Sequence, residues 1–397
     1  MAALGASDDV HDQASPVTAP AAATAAGRAR LAGLDGIRGL AALYVVINHV
    51  FLRAFPGYPV DHAPFWAGWF IYGRFAVVVF IVLSGFSLAL SPARHGWRLD
   101  TVTAFAQRRA RRILPPYWAA LAFSLAVAWL IVPQPGNGVP GVKSVLVNGL
   151  LVQNIVGAHS PNAAFWSMAV EAQLYIALPL LLLMVRRWSG AVMLVTVAIV
   201  VAAVGIFGPH VPRLDTFVIQ SPPDLAALFA VGVLAAGIVG ADSAQRSWPW
   251  PWLALAAAAP VLATVWLQGS VWTADHLYWV DLALGPAIAC LLVGLATSRP
   301  APLLRVLDAR PIRILGSFSY SLYLTHAPIV AIVCVSILSG RVPRGVPFFV
   351  VSLALVLPLT IGFAWGFSAV FEAPFRQPRR SLEPSRPVPP RAEGVLA

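Results

Sequence analysis

Residues 68–90 read GWFIYGRFAVVVFIVLSGFSLAL, a run in which Arg74 is the one charged side chain. A helix rises 1.5 Å per residue, so a run of this length crosses the ~30 Å hydrocarbon core of a bilayer. Similar runs occur at about 34–54, 113–132, 166–185, 190–207, 223–240, 249–267, 278–297, 314–338 and 347–371. None alternates apolar and polar residues over about 10 positions, as strands of a membrane β-barrel do. Composition points the same way. Apolar residues make up 59% of the chain, charged residues 11%, and the mean hydropathy is +0.77. A soluble domain carries about 25% charged residues, so this chain cannot coat a water-exposed globule. The fold class expected is an all-α, polytopic integral membrane bundle of about ten transmembrane helices.

The segments between the spans set an expected topology. The net charge of +11 comes from short Arg clusters between apolar runs, as in cytoplasmic loops, and not from a nucleic-acid face. With the N-terminus inside, 21 of the 27 basic residues fall on the cytoplasmic side. The positive-inside rule therefore predicts N-in and C-in. Residues 1–30 are Ala-rich, lack an apolar run and carry Asp8, Asp9 and Asp12 where a signal peptide would be basic. They are expected to be a disordered cytoplasmic tail, as are residues 377–397, with the transmembrane domain at 31–376. The stretch 142–157 is too short and interrupted to span, which suggests a re-entrant or interfacial helix. Cys290 and Cys334 lie inside apolar runs without metal-ligand spacing, so they are packing residues and no metal site is expected.

Ionisable residues inside spans are costly, and each is a functional candidate. Arg38 and His49 in the first span are eleven residues apart, close to three turns, so they share a face and lie roughly 16 Å apart along the axis. Asp35, one turn before Arg38, is its expected partner. Glu171 lies about five residues into the fourth span, at a depth expected to match His49. A His–Glu pair would form an acid–base unit. His326 lies about 20 Å into the ninth span, with Tyr320 and Tyr323 three apart on one face. Ser84 and Gly85 near the end of the second span suit close helix approach. Arg108, Arg109, Arg111 and Arg112 form an interfacial cluster suited to topology, anionic lipid or a cofactor phosphate. Each of these features, taken alone, also fits ordinary packing.

Together these segments resemble the acyltransferase-3 family of membrane O-acyltransferases, in its stand-alone form without an extracytoplasmic esterase-like domain. The resemblance rests on LDGIRG with Arg38 and His49, FIVLSGF at 80–86, RRARRILPPYW at 108–118, FWSMAVEAQLY at 165–175, GSFSYSLYLTHAPI at 316–329 and FEAPFR at 371–376. It implies ten spans, a bacterial cytoplasmic-membrane location, essential roles for Arg38 and His49, and transfer of an acyl group, acetyl first among them, from cytoplasmic acyl-CoA. The acceptor would be a hydroxyl on a carbohydrate or glycosylated small molecule, with no permanently bound cofactor.

On that basis Arg108, Arg109, Arg111, Arg112 and Arg38 are expected to hold the CoA head, with His49 as general base and Glu171 orienting it. Asp35, Ser84, Trp166, Tyr323 and His326 are expected to line the substrate pocket. Arg74 receives no role from the resemblance. A proton-coupled transporter using the same buried Arg, His and Glu as a relay is the competing expectation. The missing internal repeat weighs against it.

Overall fold

In a computed structural model, residues 33–59, 63–211, 221–240, 244–297 and 299–376 are described. Every regular element among them is helical, and nine helices are long and apolar enough to cross a membrane. The long helices are α1 (Leu34–Ala54), α3 (Arg74–Arg94), α4 (Val102–Leu130), α7 (Phe165–Arg187) and α8 (Gly190–Phe207). They continue as α9 (Asp224–Gly240), α10 (Trp250–Asp275), α11 (Leu277–Ala296), α14 (Ser319–Ala331) and α15 (Val346–Phe367). Short helices fill the connections: α2 (Phe65–Gly68), α5 (Val142–Gly149), α6 (Gln153–Val156), α12 (Ala301–Leu307) and α13 (Arg310–Ser317). Both expected tails lie outside the described residues.

Each expected span has its helix, and the differences have local causes. The third starts eleven residues early because Thr101 caps it, its hydroxyl accepting from the Ala104 amide at 3.0 Å. The Arg-rich stretch is therefore the polar base of a helix that continues into the membrane. The sixth, α9, has only 17 residues, the short end of what spans a bilayer. It packs backbone to backbone on α3. A Cβ on Gly85 would lie 2.2 Å from the Phe229 carbonyl oxygen, and one on Gly232 would lie 2.1 Å from that of Val82. Gly85 thus has the close-approach role its sequence suggests.

Helix α14 sits at the centre, with nearly every residue from Ser319 to Ala331 buried. Leu322 and Val330 join one core cluster with Phe51, Phe348 and Phe349. Tyr323 and Leu324 join a second with Tyr117, Phe165 and Met168. By contrast, α8 and α10 bury few residues, as expected of helices whose remaining surface is apolar and faces lipid.

Residues 140–164 re-enter the bundle. Along α4, Trp129 Nε1 donates to the Pro140 carbonyl at 2.9 Å. Lower down, Trp118 Nε1 donates to Gly149 at 3.0 Å, and the Tyr117 hydroxyl to Asn148 at 2.8 Å. Those anchors are twelve residues apart on α4, so the segment descends roughly 18 Å. Irregular backbone at that depth persists only where protein satisfies it. Asn162 does so at the other end, its Nδ2 donating to the Leu324 carbonyl at 2.8 Å and to Ser124 Oγ at 3.1 Å. Consequently α7 begins inside the bundle and not at its surface.

Candidate active site

Two polar layers are stacked along α1, one at each end of the Arg38–His49 face. At the Arg38 layer, Nη1 pairs with Asp35 Oδ1 at 3.1 Å, as the spacing predicts, and Nη2 donates to Ser87 Oγ at 2.8 Å. Glu171 Oε1 accepts from Ser84 Oγ at 2.7 Å and from the Tyr175 hydroxyl. Arg109 interacts electrostatically with Glu171 and Tyr175, and its Nε is buried without a partner. Arg112 interacts with both Arg38 and Arg109. The interfacial cluster therefore divides. Arg109 belongs to this layer and Arg112 lies at its exposed edge, near Arg38 and Arg109, whereas Arg108 pairs outward with Asp100 at 3.5 Å and Arg111 is exposed.

At the other layer, the His49 ring lies 4.8 Å from that of His326, centroid to centroid, tilted by 52°. The Nδ1 of His326 lies 2.8 Å from the Tyr323 carbonyl and 3.2 Å from that of Leu322. Carbonyls only accept, so Nδ1 carries the hydrogen and Nε2 keeps its lone pair. That Nε2 is buried and has no partner. Tyr323 packs on His326 at 5.8 Å, and its hydroxyl meets Ser167 Oγ at 2.6 Å. Below His49 on α1, Asn48 Nδ2 donates to the carbonyls of Phe70 and Ile71 at 2.6 and 3.1 Å. The Tyr44 hydroxyl holds the Trp69 carbonyl at 2.5 Å. An aromatic segment before α3 is thereby drawn down beside the histidine pair.

The expected His49–Glu171 pair does not form. Counting down from His326 through Tyr323 and Ser167, Glu171 lies roughly 10 Å below His49 along the helix axes. The depth estimate failed because α7 starts below the surface, at the end of the re-entrant segment. His326 stands where Glu171 was expected, and Glu171 belongs to the Arg38 layer. Ser84 is likewise bound to Glu171 and Tyr175, well away from the histidines. Trp166 lies under the Arg74 guanidinium, 5.4 Å from its ring centroid.

Several partners were missed. Tyr175 is four residues after Glu171 and Ser87 three after Ser84, both same-face spacings. Asp224 and Asp281 are carboxylates in apolar runs, and the rule that singles out Arg38 applies to them equally. Both are fully buried and pair with Arg74. Among the described residues, no group of three or more His, Cys, Asp or Glu side chains is arranged to hold a metal ion.

A multi-pass helical membrane protein with a guanidinium layer and a histidine layer on one helix is what these features define. The model of the family described as "Acyltransferase domain" matches residues 31–367, and the chain belongs to that family. It is 24% identical over 325 residues to the putative peptidoglycan O-acetyltransferase YrhL of Bacillus subtilis, covering 76% of this chain and 48% of that protein. It is 22% identical over 329 residues to the peptidoglycan O-acetyltransferase OatA of Listeria monocytogenes, covering 75% and 49%. To the O-acetyltransferase OatA of Staphylococcus aureus it is 23% identical over 350 residues, covering 79% and 53%. The chain thus spans about half the length of the curated relatives it matches. No solved structure matches it. Family membership favours acyl transfer over the transporter.

Proposed function

We propose that this chain is a membrane O-acetyltransferase that moves an acetyl group from acetyl-CoA to a carbohydrate hydroxyl. The observation that carries this reading is the stacking of the two layers on α1, roughly 16 Å apart. Arg38, Arg109 and Arg112 form a basic layer with room for charge-assisted bonds to the CoA phosphates. The pantetheine arm then points the thioester toward His49. There the imidazole takes the proton of the acceptor hydroxyl as the oxygen attacks the thioester carbonyl. The C–S bond breaks, the ester forms, and the CoA thiolate is protonated to the free thiol. His326 Nε2, held as an acceptor by the backbone, takes the orienting role first given to Glu171. Peptidoglycan, the acceptor in the names of two of the relatives above, is a glycan of the required chemistry. Purified protein given acetyl-CoA should release free CoA in proportion to ester formed on added glycan. Thioester loss with no glycan ester would overturn the reading.

The Arg bias supports an orientation with the Arg38 layer and both termini on the cytoplasmic side of a bacterial membrane and the His49 layer toward the outside. Reporter fusions after Leu90 and Arg187 should read as cytoplasmic, and those near Gly136 and Gly269 as external. An external reading after Leu90 would invert the donor and acceptor sides.

A further inference from the structure

Arg74 opens α3, Asp224 opens α9, and Asp281 lies in the first turns of α11. Arg74 Nε bonds Asp281 Oδ2, and Nη2 bonds Asp224 Oδ2 at 3.1 Å. The second oxygen of each carboxylate is buried without a donor. Nη1 makes no hydrogen bond among the described residues, and the Arg74 side chain is 24% exposed. One guanidinium between two carboxylates is more than an ion pair needs. The cluster keeps spare acceptors at two oxygens and a spare donor at Nη1.

The cluster borders the histidine layer on two sides. Gly73, just before Arg74, packs so closely on α1 that a Cβ there would lie 2.2 Å from Asn48 Cγ, and Asn48 precedes His49. Trp166, stacked on Arg74, precedes Ser167, which is bonded to the Tyr323 beside His326. The aromatic segment leads away from it, with Trp69 5.9 Å from Tyr72 and Tyr72 stacked on Phe75 at 5.3 Å.

We infer that Arg74, backed by Asp224 and Asp281 and flanked by Trp166, is the acceptor subsite, and that it takes an uncharged sugar ring. This rests on the carbohydrate acceptor proposed above. Ring hydroxyls both donate and accept, so they complement a cluster with spare groups of both kinds. The apolar face of a sugar fits a partly exposed indole, an apolar body with a polar edge. The two buried carboxylates oppose a phosphate or carboxylate on the same ring, because the low-dielectric surroundings strengthen that repulsion.

The test uses the full chain in detergent, a neutral N-acetylglucosamine oligosaccharide, and the same oligosaccharide carrying a carboxylate. Wild type should bind the neutral probe more tightly. Trp166→Leu, which removes the ring that meets the sugar face, and Arg74→Lys, which removes one charge-assisted contact, should each weaken that binding by about 10-fold while acetyl-CoA binding persists. Asp281→Asn should narrow the gap between the two probes by removing one of the two opposing carboxylates. Trp166 is outside the ion pairs, so its variant remains informative if Arg74→Lys fails to fold. Unchanged neutral-probe affinity in Trp166→Leu, or equal wild-type affinity for both probes, would overturn the subsite while leaving acetyl transfer intact. If wild-type protein esterifies no glycan at all, the acceptor reading and the subsite fall together.

Discussion

His49→Ala is expected to lose about 10²–10⁴-fold in turnover while the protein still inserts and folds, because that is what a general base contributes. The site supports both halves of this expectation. His49 is only partly buried and makes no hydrogen bond among the described residues, so little of the fold depends on its nitrogens. Facing it is His326, whose free Nε2 is suited to accept an imidazole N–H. With that bond made, the other nitrogen of His49 presents its lone pair to the acceptor hydroxyl. The measurement is initial-rate ester formation at saturating acetyl-CoA, normalised to folded protein in the membrane. Wild-type turnover by a normally inserted His49→Ala protein would remove His49 from the chemistry.

The second large effect is expected at His326. His326→Leu keeps the apolar bulk but removes the acceptor, and should cost roughly 10²-fold through loss of His49 orientation. His326→Gln retains an oxygen acceptor and should recover part of that loss. A packing role predicts the opposite order, since Leu suits an apolar core better than Gln. The double variant with His49→Ala should be little worse than His49→Ala alone, because groups that act as one unit are not additive. Additive losses would separate the two histidines. Equal activity of His326→Leu and wild type would leave His326 a packing residue.

The legible parts of this molecule follow from length and charge. A 20-residue apolar run has one stable form in lipid, so the helices could be read directly. The Asp35–Arg38 contact depends only on the geometry of one helix, and it too was readable. Relations between helices were readable only where the depths of both ends were known. His49 and Glu171 were placed together on the assumption that α7 starts at the surface. The starting level is set instead by Asn162 and the hydrogen bonds of Asn148 and Gly149, polar side-chain and backbone contacts that hydropathy does not register. The His49–His326 contact joins the first and ninth spans, and nothing in either run fixes their rotation. Arg74 could be seen as a buried charge, but its two carboxylates are 150 and 207 residues away. Only packing brings them together.

The re-entrant segment also sets an order on biogenesis. Its C-terminal end is fastened by Asn162 to the Leu324 carbonyl, 162 residues later in the chain. At typical synthesis rates of 5–20 residues per second, roughly 8–32 s pass before that partner emerges from the ribosome. During that interval α4, Gln173 of α7 and Ser221 hold the segment, and Asn162 lacks its Leu324 partner. The two histidines likewise come into register only when α14 docks between α1 and α4. A nascent chain stopped after α11 would therefore hold its basic layer nearly complete and have no histidine pair. On the mechanism proposed above, competence for transfer would be acquired in one late step, with the ninth span as the keystone of assembly.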